Sequence, residues 1–75
     1  MKNLRKLRKT CKMTQLAVQM KTGIDQAILS KYETGEREPT FENICILADL
    51  FNTSLDYLAD RTDNPTPYER RKDNF

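Results

Sequence analysis

The chain has no histidine and no tryptophan, and its 75 residues include only two cysteines and two glycines. Without histidine, two cysteines as far apart as Cys11 and Cys45 cannot supply a zinc site of ordinary ligand spacing. Two glycines are too few for a glycine-rich phosphate loop, and the acidic residues lie scattered along the chain. We therefore expect no metal, no other cofactor and no catalytic site.

Long apolar runs are also missing. No stretch approaches the roughly 20 apolar residues of a membrane span, and the basic N-terminal end lacks the apolar segment of a secretory signal. These absences favour a cytoplasmic protein with no membrane partner, and no small-molecule ligand is evident. In that compartment Cys11 and Cys45 are expected to stay reduced and to act as small buried apolar residues.

Positive charge is concentrated at the N-terminal end. Residues 1–24 carry seven lysines and arginines and no acidic residue, whereas the rest of the chain carries six basic and eleven acidic residues. The two parts therefore have net charges of +7 and −5. Such an asymmetry favours an oriented approach to a polyanion. A basic helix face that is merely solvated remains the alternative.

The hydrophobic spacing predicts five helices and no strand. Leu4, Leu7 and Cys11 recur at helical spacing, which predicts a first helix over about residues 2–11. Four further helices are expected to begin at residues that cap helix N-termini well, namely Thr14, Asp25, Thr40 and Ser54. The fourth helix is apolar on nearly every side, so we expect it to be central, with Phe41 on its core face.

The composition changes beyond Arg61. Pro65 and Pro67 cannot continue a helix, because proline lacks the backbone donor and restricts the residue before it. The last eight residues, YERRKDNF, are mostly charged. We therefore expect one domain over residues 1–61 and a flexible tail over residues 62–75.

The predicted third helix has two chemically different faces. At about 100° per residue, one arc of roughly 140° is apolar and contains Ile24, Ile28, Leu29 and Tyr32. The opposite arc carries short or hydrogen-bonding side chains, which are Gln26, Ala27, Ser30 and Lys31. Amides bond adenine edges, small apolar groups contact the thymine methyl, and lysine reaches guanine or phosphate. This face therefore suits the DNA major groove, which is wide enough for one helix.

The stretch TQLAVQMKTGIDQAILSKYETGEREP, residues 14–39, resembles the helix-turn-helix of the phage repressor/Cro family of bacterial and phage regulators. The similarity includes the Gly23-Ile24 turn and the closing residues 52–58, and it extends from residue 4 to about 61. It implies an all-α, compact five-helix, repressor-like DNA-binding domain in which helices 2 and 3 form the helix-turn-helix.

The resemblance also implies roles for individual residues. Three positions of the third helix match those that read base edges, namely Gln26, Ala27 and Lys31, and Ser30 falls beside them. Gln15 resembles a glutamine that binds a phosphate, and the following loop meets the DNA backbone through Thr34, Gly35 and Arg37. Arg8 and Glu33 match a structural ion pair between helices one and three. The dimer surface would include Leu55 and Leu58.

The function that follows is a sequence-specific regulator that binds double-stranded DNA, a repressor acting as a homodimer on a palindromic operator. Its place would be the cytoplasm of a bacterium or of a phage-infected cell, at the nucleoid. The alternative is a protein-interaction module, such as an antitoxin-like partner, because a helix-turn-helix fold does not by itself prove DNA binding.

Several residues of helix two depart from the family pattern, among them Leu16, Ala17, Gln19, Met20 and Thr22. Gln19 stands where the family usually has alanine, and we expect it to form a hydrogen bond across the junction between helices two and three. Leu16 and Met20 occupy positions that are commonly charged in the family. They either cover a neighbouring helix, which we favour, or form an apolar surface patch.

Overall fold

Five α-helices follow one another along the chain in a computed structural model that describes residues 1–69. Their bounds are α1 Lys2–Thr10, α2 Gln15–Thr22, α3 Gln26–Thr34, α4 Phe41–Phe51 and α5 Leu55–Leu58. No strand occurs within this range, so the prediction of an all-α, five-helix fold is confirmed. No helix in the described part of the chain is long and apolar enough to cross a membrane.

Local capping explains where four of the helices begin. Thr14, Asp25, Thr40 and Ser54 are the N-caps, and each side chain accepts a hydrogen bond from a backbone amide in the first turn, at 2.7–3.1 Å. These bonds satisfy donors that a helix start otherwise leaves unpaired. The predicted helix starts are therefore confirmed.

The start of α1 is capped by a residue that lies just after the end of α5. The Asp60 carboxylate accepts hydrogen bonds from the backbone amides of Lys2 and Asn3, both at 2.9 Å. The Asn3 side chain in turn donates to the Tyr57 carbonyl oxygen at 2.8 Å. Burial works to raise the pKa of Asp60, but the bonds from Asn3 and Lys2 outweigh it and hold that pKa below its ordinary value. These contacts join the two ends of the domain.

The core receives side chains from every helix and from the turn before α3. Its buried members are Leu4, Val18, Ile24, Leu29, Tyr32, Leu47, Ala48 and Leu58. The helices pack in neighbouring pairs, with α1 on α3 and α5, α2 on α3 and α4, and α4 on α5. The predicted inward apolar face is confirmed, since Ile24 in the turn before α3 and Leu29 and Tyr32 on α3 are buried and Ile28 is half-buried.

Three predictions about buried residues are wrong in whole or in part. Phe41 is 76% exposed, because it is the first residue of α4 and side chains at a helix start lean outward past the helix end. Cys11 is exposed and Cys45 is only half-buried. α1 ends at Thr10, so Cys11 lies outside the helix. The helical spacing from Leu4 and Leu7 therefore does not predict which way the Cys11 side chain points. Most of the apolar residues of α4 are half-buried, so α4 is one wall of the core and not its centre.

The assignment of Leu58 to a dimer surface is also wrong. Its side chain is 0% exposed and belongs to the core of its own chain, because α5 turns this residue toward α1 and α4. A group without any accessible surface cannot contact a second copy. Leu55, at the start of α5, is half-buried and keeps part of its side chain at the surface.

The segment after α5 lies against the helices as far as it is described. The Thr62 carbonyl oxygen accepts a bond from the Asn3 side chain at 3.3 Å, and the Pro65 carbonyl oxygen accepts one from the Thr53 hydroxyl at 2.7 Å. The Tyr68 hydroxyl donates to the Asp56 carboxylate. The flexibility of the tail stays a prediction, and residues 70–75 of it lie outside the described residues.

Candidate nucleic-acid interface

The turn between α2 and α3 is closed by its own backbone and by Thr22. Gly23 takes the left-handed conformation, with φ 78°, and its amide donates to the Gln19 carbonyl oxygen at 2.7 Å. The Thr22 hydroxyl donates to the Val18 carbonyl oxygen at 2.8 Å and accepts a bond from the Ile24 amide at 3.1 Å. Glycine suits this position because a side chain strains that conformation. The turn therefore holds α3 in a defined direction after α2.

Gln19 joins the two helices directly. Its side-chain oxygen accepts a hydrogen bond from the backbone amide of Gln26 at 2.7 Å, which confirms the predicted bond across the junction. The next amide, that of Ala27, donates to the Asp25 carboxylate at 2.7 Å. The first two amides of α3 therefore both have side-chain acceptors, one of them supplied by α2.

This bond gives a stability prediction. Gln19→Met keeps the length of the side chain but removes the acceptor, so we expect the free energy of unfolding to fall by about 1 kcal/mol, as for the loss of a helix cap. Gln19→Glu keeps an acceptor beside a helix N-terminus and should stay within about 0.5 kcal/mol of the wild type. Urea denaturation of the three proteins measures this difference, and equal stability of the Met and Glu variants would contradict it.

The outward face of α3 is accessible over most of its length. Gln26, Ala27 and Lys31 are exposed, and Ser30 is half-buried. In the described residues the side chains of Gln26 and Lys31 form no hydrogen bond or ion pair. On the other side of the helix, the Tyr32 hydroxyl accepts a bond from the Asn43 side chain at 2.9 Å, which ties α3 to α4.

Arg8 and Glu33 form an ion pair between α1 and α3. The Arg8 Nε and Nη2 atoms donate to the two carboxylate oxygens of Glu33 at 2.7 and 3.0 Å, and Arg8 Nη1 donates to the Met13 carbonyl oxygen at 2.9 Å. The side chains are only 13% and 5% exposed, respectively. Such a bidentate pair fixes both the distance and the orientation of the two side chains. It therefore holds the end of α3 against α1, just before the loop that follows α3.

The pKa values of this pair show how closely the charges are coupled. Burial works to raise the pKa of Glu33, but hydrogen bonds from Arg8 and Gln15 outweigh it and lower that pKa below its ordinary value. The hydrogen bond to Glu33 raises the pKa of Arg8 further above its usual range. Both groups are therefore charged at neutral pH.

The structure brings together three of the residues that the resemblance places at the DNA: two expected to contact its backbone and one beside the base readers. Gln15, Ser30 and Thr34 line one concave pocket of about 310 Å³, beside the Arg8–Glu33 pair. Gln15 is half-buried, and its side-chain nitrogen donates to a Glu33 carboxylate oxygen at 3.2 Å. To bind a phosphate as predicted, the Gln15 amide would have to leave Glu33 or donate to both acceptors.

Gly35 and Arg37 lie apart from that pocket. Gly35 ends α3 in the left-handed conformation, with φ 84°, and the Arg37 amide donates to the Lys31 carbonyl oxygen at 3.3 Å. Together they line a second pocket of about 410 Å³, on the side of the chain that includes Met1 and Asp60. The loop after α3 is therefore exposed and anchored to the end of that helix.

Leu16 and Met20 form an apolar surface patch on α2, with side chains 51% and 79% exposed. The favoured expectation that they cover a neighbouring helix is wrong, because Val18 turns toward the core and Leu16 and Met20 turn to solvent. Ile46, which lies on α4 at a position that is often charged in the family, is half-buried and packs against the core.

Two residues with a part in this site were missed by the sequence reasoning. Arg5 lines the pocket beside the ion pair, and its spacing of three residues before Arg8 was the available signal. Asp60 caps α1, which carries Arg5 and Arg8, and no local pattern pointed to it.

Comparison with known proteins supports the same reading of the fold. A sequence model described as helix-turn-helix matches residues 4–58. The chain is 38% identical over 69 residues to YobD of Bacillus subtilis (strain 168), an uncharacterized HTH-type transcriptional regulator, covering 92% of this chain and 62% of that protein. It is 34% identical over 67 residues to YqaE of the same organism, with the same description, covering 89% and 58%.

No solved structure matches the chain significantly. The chain spans less than two thirds of the length of both curated relatives. The family match nevertheless covers α2, the glycine turn, α3 and the ion pair that fixes α3 to α1. The chain therefore belongs to the Cro/C1-type helix-turn-helix family.

Proposed function

We propose that this protein binds double-stranded DNA sequence-specifically and regulates transcription. The observation that carries the proposal is the exposed outer face of α3, whose inner face is anchored by Leu29 and Tyr32. One helix fits the major groove, where each base pair presents a distinct pattern of donors and acceptors. The helix-turn-helix descriptions of the two relatives agree with this role.

The proposed contacts divide into two kinds. Base edges are read by Gln26 and Lys31 through hydrogen bonds and by Ala27 through contact with a thymine methyl, with Ser30 beside them. Backbone contacts come from Gln15, Thr34, Gly35 and Arg37. The basic N-terminal part of the chain adds attraction that does not depend on sequence. Backbone contacts position α3 and base contacts select the site.

The proposed active form is a homodimer that represses transcription from a palindromic operator in the bacterial or phage-infected cytoplasm, at the nucleoid. A two-fold dimer places two copies of α3 in successive major grooves, about 34 Å apart. The partly exposed Leu55 at the start of α5 is the residue that we retain for the dimer surface. Selection from a random duplex library tests these points together, and we expect an enriched palindrome. A library that yields no preferred sequence would contradict sequence-specific binding.

Lys31 gives the sharpest test of base reading. We expect Lys31→Ala to weaken binding to the selected operator by about 1–3 kcal/mol and to relax base preference at one operator position. Lys21→Ala is the control, because Lys21 is exposed but lies in the last turn of α2. Competition binding with operators changed one base pair at a time measures the preference. Unchanged preference in Lys31→Ala would exclude Lys31 as a reader.

The second candidate function is a protein-interaction module, for example an antitoxin-like partner. The exposed patch of Leu16 and Met20 favours it, because monomeric proteins rarely leave large apolar side chains clustered at the surface without a use. Salt titration separates the two functions, since binding through phosphates weakens steeply as salt rises. Apolar docking does not weaken in this way.

A further inference from the structure

The pocket beside the ion pair contains a positive charge, that of Arg5, which has no counter-charge bonded to it among residues 1–69. It lies where α1, the start of α2 and the later part of α3 meet, and its lining residues are Arg5, Arg8, Gln15, Ser30, Glu33 and Thr34. Arg8 and Glu33 neutralise each other through two hydrogen bonds. Arg5 is exposed and forms no hydrogen bond or ion pair in the described residues. The pocket therefore carries two guanidinium groups against one carboxylate.

The carboxylate in the pocket is already occupied. One oxygen of Glu33 accepts a bond from Arg8 Nε, and the other accepts bonds from Arg8 Nη2 and from Gln15. Arg5 is close enough for its charge to contribute to the lowered pKa of Glu33, but it does not bond to that residue. Within the described residues, an anion that enters the pocket thus meets a neutralised carboxylate and the guanidinium of Arg5, which no side chain there engages.

We propose that Arg5 and the Ser30 hydroxyl bind a backbone phosphate of the duplex in this pocket. The proposal rests on the DNA binding proposed above and adds a contact from α1. A guanidinium matches the geometry of a phosphate through paired donors, and Ser30 is half-buried on α3 and forms no hydrogen bond in the described residues. One phosphate would then contact α1 and α3 together and set the depth of α3 in the groove.

Lys6 is a natural control for Arg5. It is an exposed cation, next to Arg5 on α1, and it does not line the pocket. Neutralising either residue lowers the net charge of the chain by the same amount. A difference between the two variants therefore reports the pocket and not the general basic character of the N-terminal part.

The experiment measures how the affinity of the full chain for its selected duplex depends on salt. For Arg5→Gln we expect affinity at moderate salt to fall about tenfold, as for the loss of a charged hydrogen bond. We also expect the slope of log affinity against log salt to decrease by about 0.9, the value for one phosphate. The loss should be equal on the selected and a scrambled duplex, because phosphates carry no sequence information. Lys6→Gln should change the slope by less than half as much.

Two further variants complete the test. Arg5→Lys keeps the charge without the paired donors. The slope of log affinity against log salt should therefore equal that of the wild type, while the affinity recovers only in part. Ser30→Ala should weaken binding without changing the slope. Thermal unfolding should change very little in Arg5→Gln, since Arg5 makes no hydrogen bond in the described residues and acts on Glu33 only through its charge. Equal slopes for Arg5→Gln and Lys6→Gln would overturn the proposal.

A failure of DNA binding itself would look different. If the wild type binds no duplex at any salt concentration, the proposed function fails, and inorganic phosphate then probes the pocket. Chemical shift changes at Ser30 and Gln15 that disappear in Arg5→Gln would support an anion site. No such changes, or equal changes in both proteins, would overturn it.

Discussion

Leu58→Asp is expected to unfold the domain at 25 °C. Truncation of a buried leucine alone costs about 2–5 kcal/mol, and burial of an unpaired carboxylate adds several more. Leu58 is fully buried in the core, where α5 packs on α1 and α4. A chain of this size has a total stability of about 4–11 kcal/mol, so the combined cost is comparable with all of it. Far-UV circular dichroism should show loss of most of the helical signal.

Leu55→Asp is the matched control on the same helix. Leu55 is half-buried, and an aspartate in the first turn of a helix interacts favourably with the helix dipole. We expect this variant to remain helical and to unfold cooperatively. If the proposed dimer uses Leu55, its mass in solution will also fall to that of one chain. A folded Leu58→Asp variant would contradict the placement of that side chain in the core.

Glu33→Gln is expected to lower the free energy of unfolding by about 3–5 kcal/mol, because removal of one partner leaves a buried cation without its counter-charge. The side chains of Arg8 and Glu33 are 13% and 5% exposed, so water can compensate for the loss only in small part. With about 4–8 °C per kcal/mol for a domain of this size, the midpoint of thermal unfolding should fall by about 12–40 °C. Glu36→Gln, which changes an exposed carboxylate in the next loop, should shift it very little.

The same ion pair should make stability depend on acid. The folded-state pKa of Glu33 lies below its ordinary value, so its contribution is present above the unfolded pKa of about 4.3 and disappears as pH falls through the folded value. Glu33→Gln should lack this part of the acid dependence, whereas Asp60, whose folded-state pKa is also lowered, loses its contribution in both proteins. Urea denaturation between pH 3 and 7 measures it. Parallel curves for wild type and variant would contradict the role of the pair.

A double variant separates the charge pair from simple packing. Arg8→Met with Glu33→Leu removes both charges and keeps apolar volume, so it should be more stable than either single variant. The DNA-binding face should be tested in the same proteins, because Glu33 also holds the Gln15 side chain. If the losses of stability in Arg8→Met and Glu33→Leu simply add in the double variant, the two side chains act independently.

Features that depend on neighbours in the chain were predictable. The capping residues Thr14, Asp25, Thr40 and Ser54 satisfy amides two or three positions away, so sequence pattern alone locates those helix starts. The two faces of α3 were equally predictable, since helical periodicity separates inward Leu29 and Tyr32 from outward Gln26 and Lys31. The bond that Gln19 accepts from Gln26 was expected because Gln19 stands where the resembled family usually has alanine.

Features that depend on distant parts of the chain were not predictable in this way. Asp60 caps α1 from 57 and 58 positions away, and no local pattern marks such a partner. The family resemblance assigned Leu58 to a dimer surface, but only the packing of α5 on α1 and α4 shows that this side chain belongs to the core. Phe41 and Cys11 lie at helix ends, where the packing of other helices decides which side chains are covered.

The sequence by itself thus determined the five helices, their caps and the two-faced character of α3, because hydrogen bonds within a few residues and the helical repeat are local properties. The tertiary structure alone decided that Leu58 is core, that Leu16 and Met20 are surface, and that Arg5 has no partner among residues 1–69 in a pocket shared by three helices. These outcomes depend on how helices from separate parts of the chain cover one another. Burial and charge pairing are properties of that arrangement and not of any single helix.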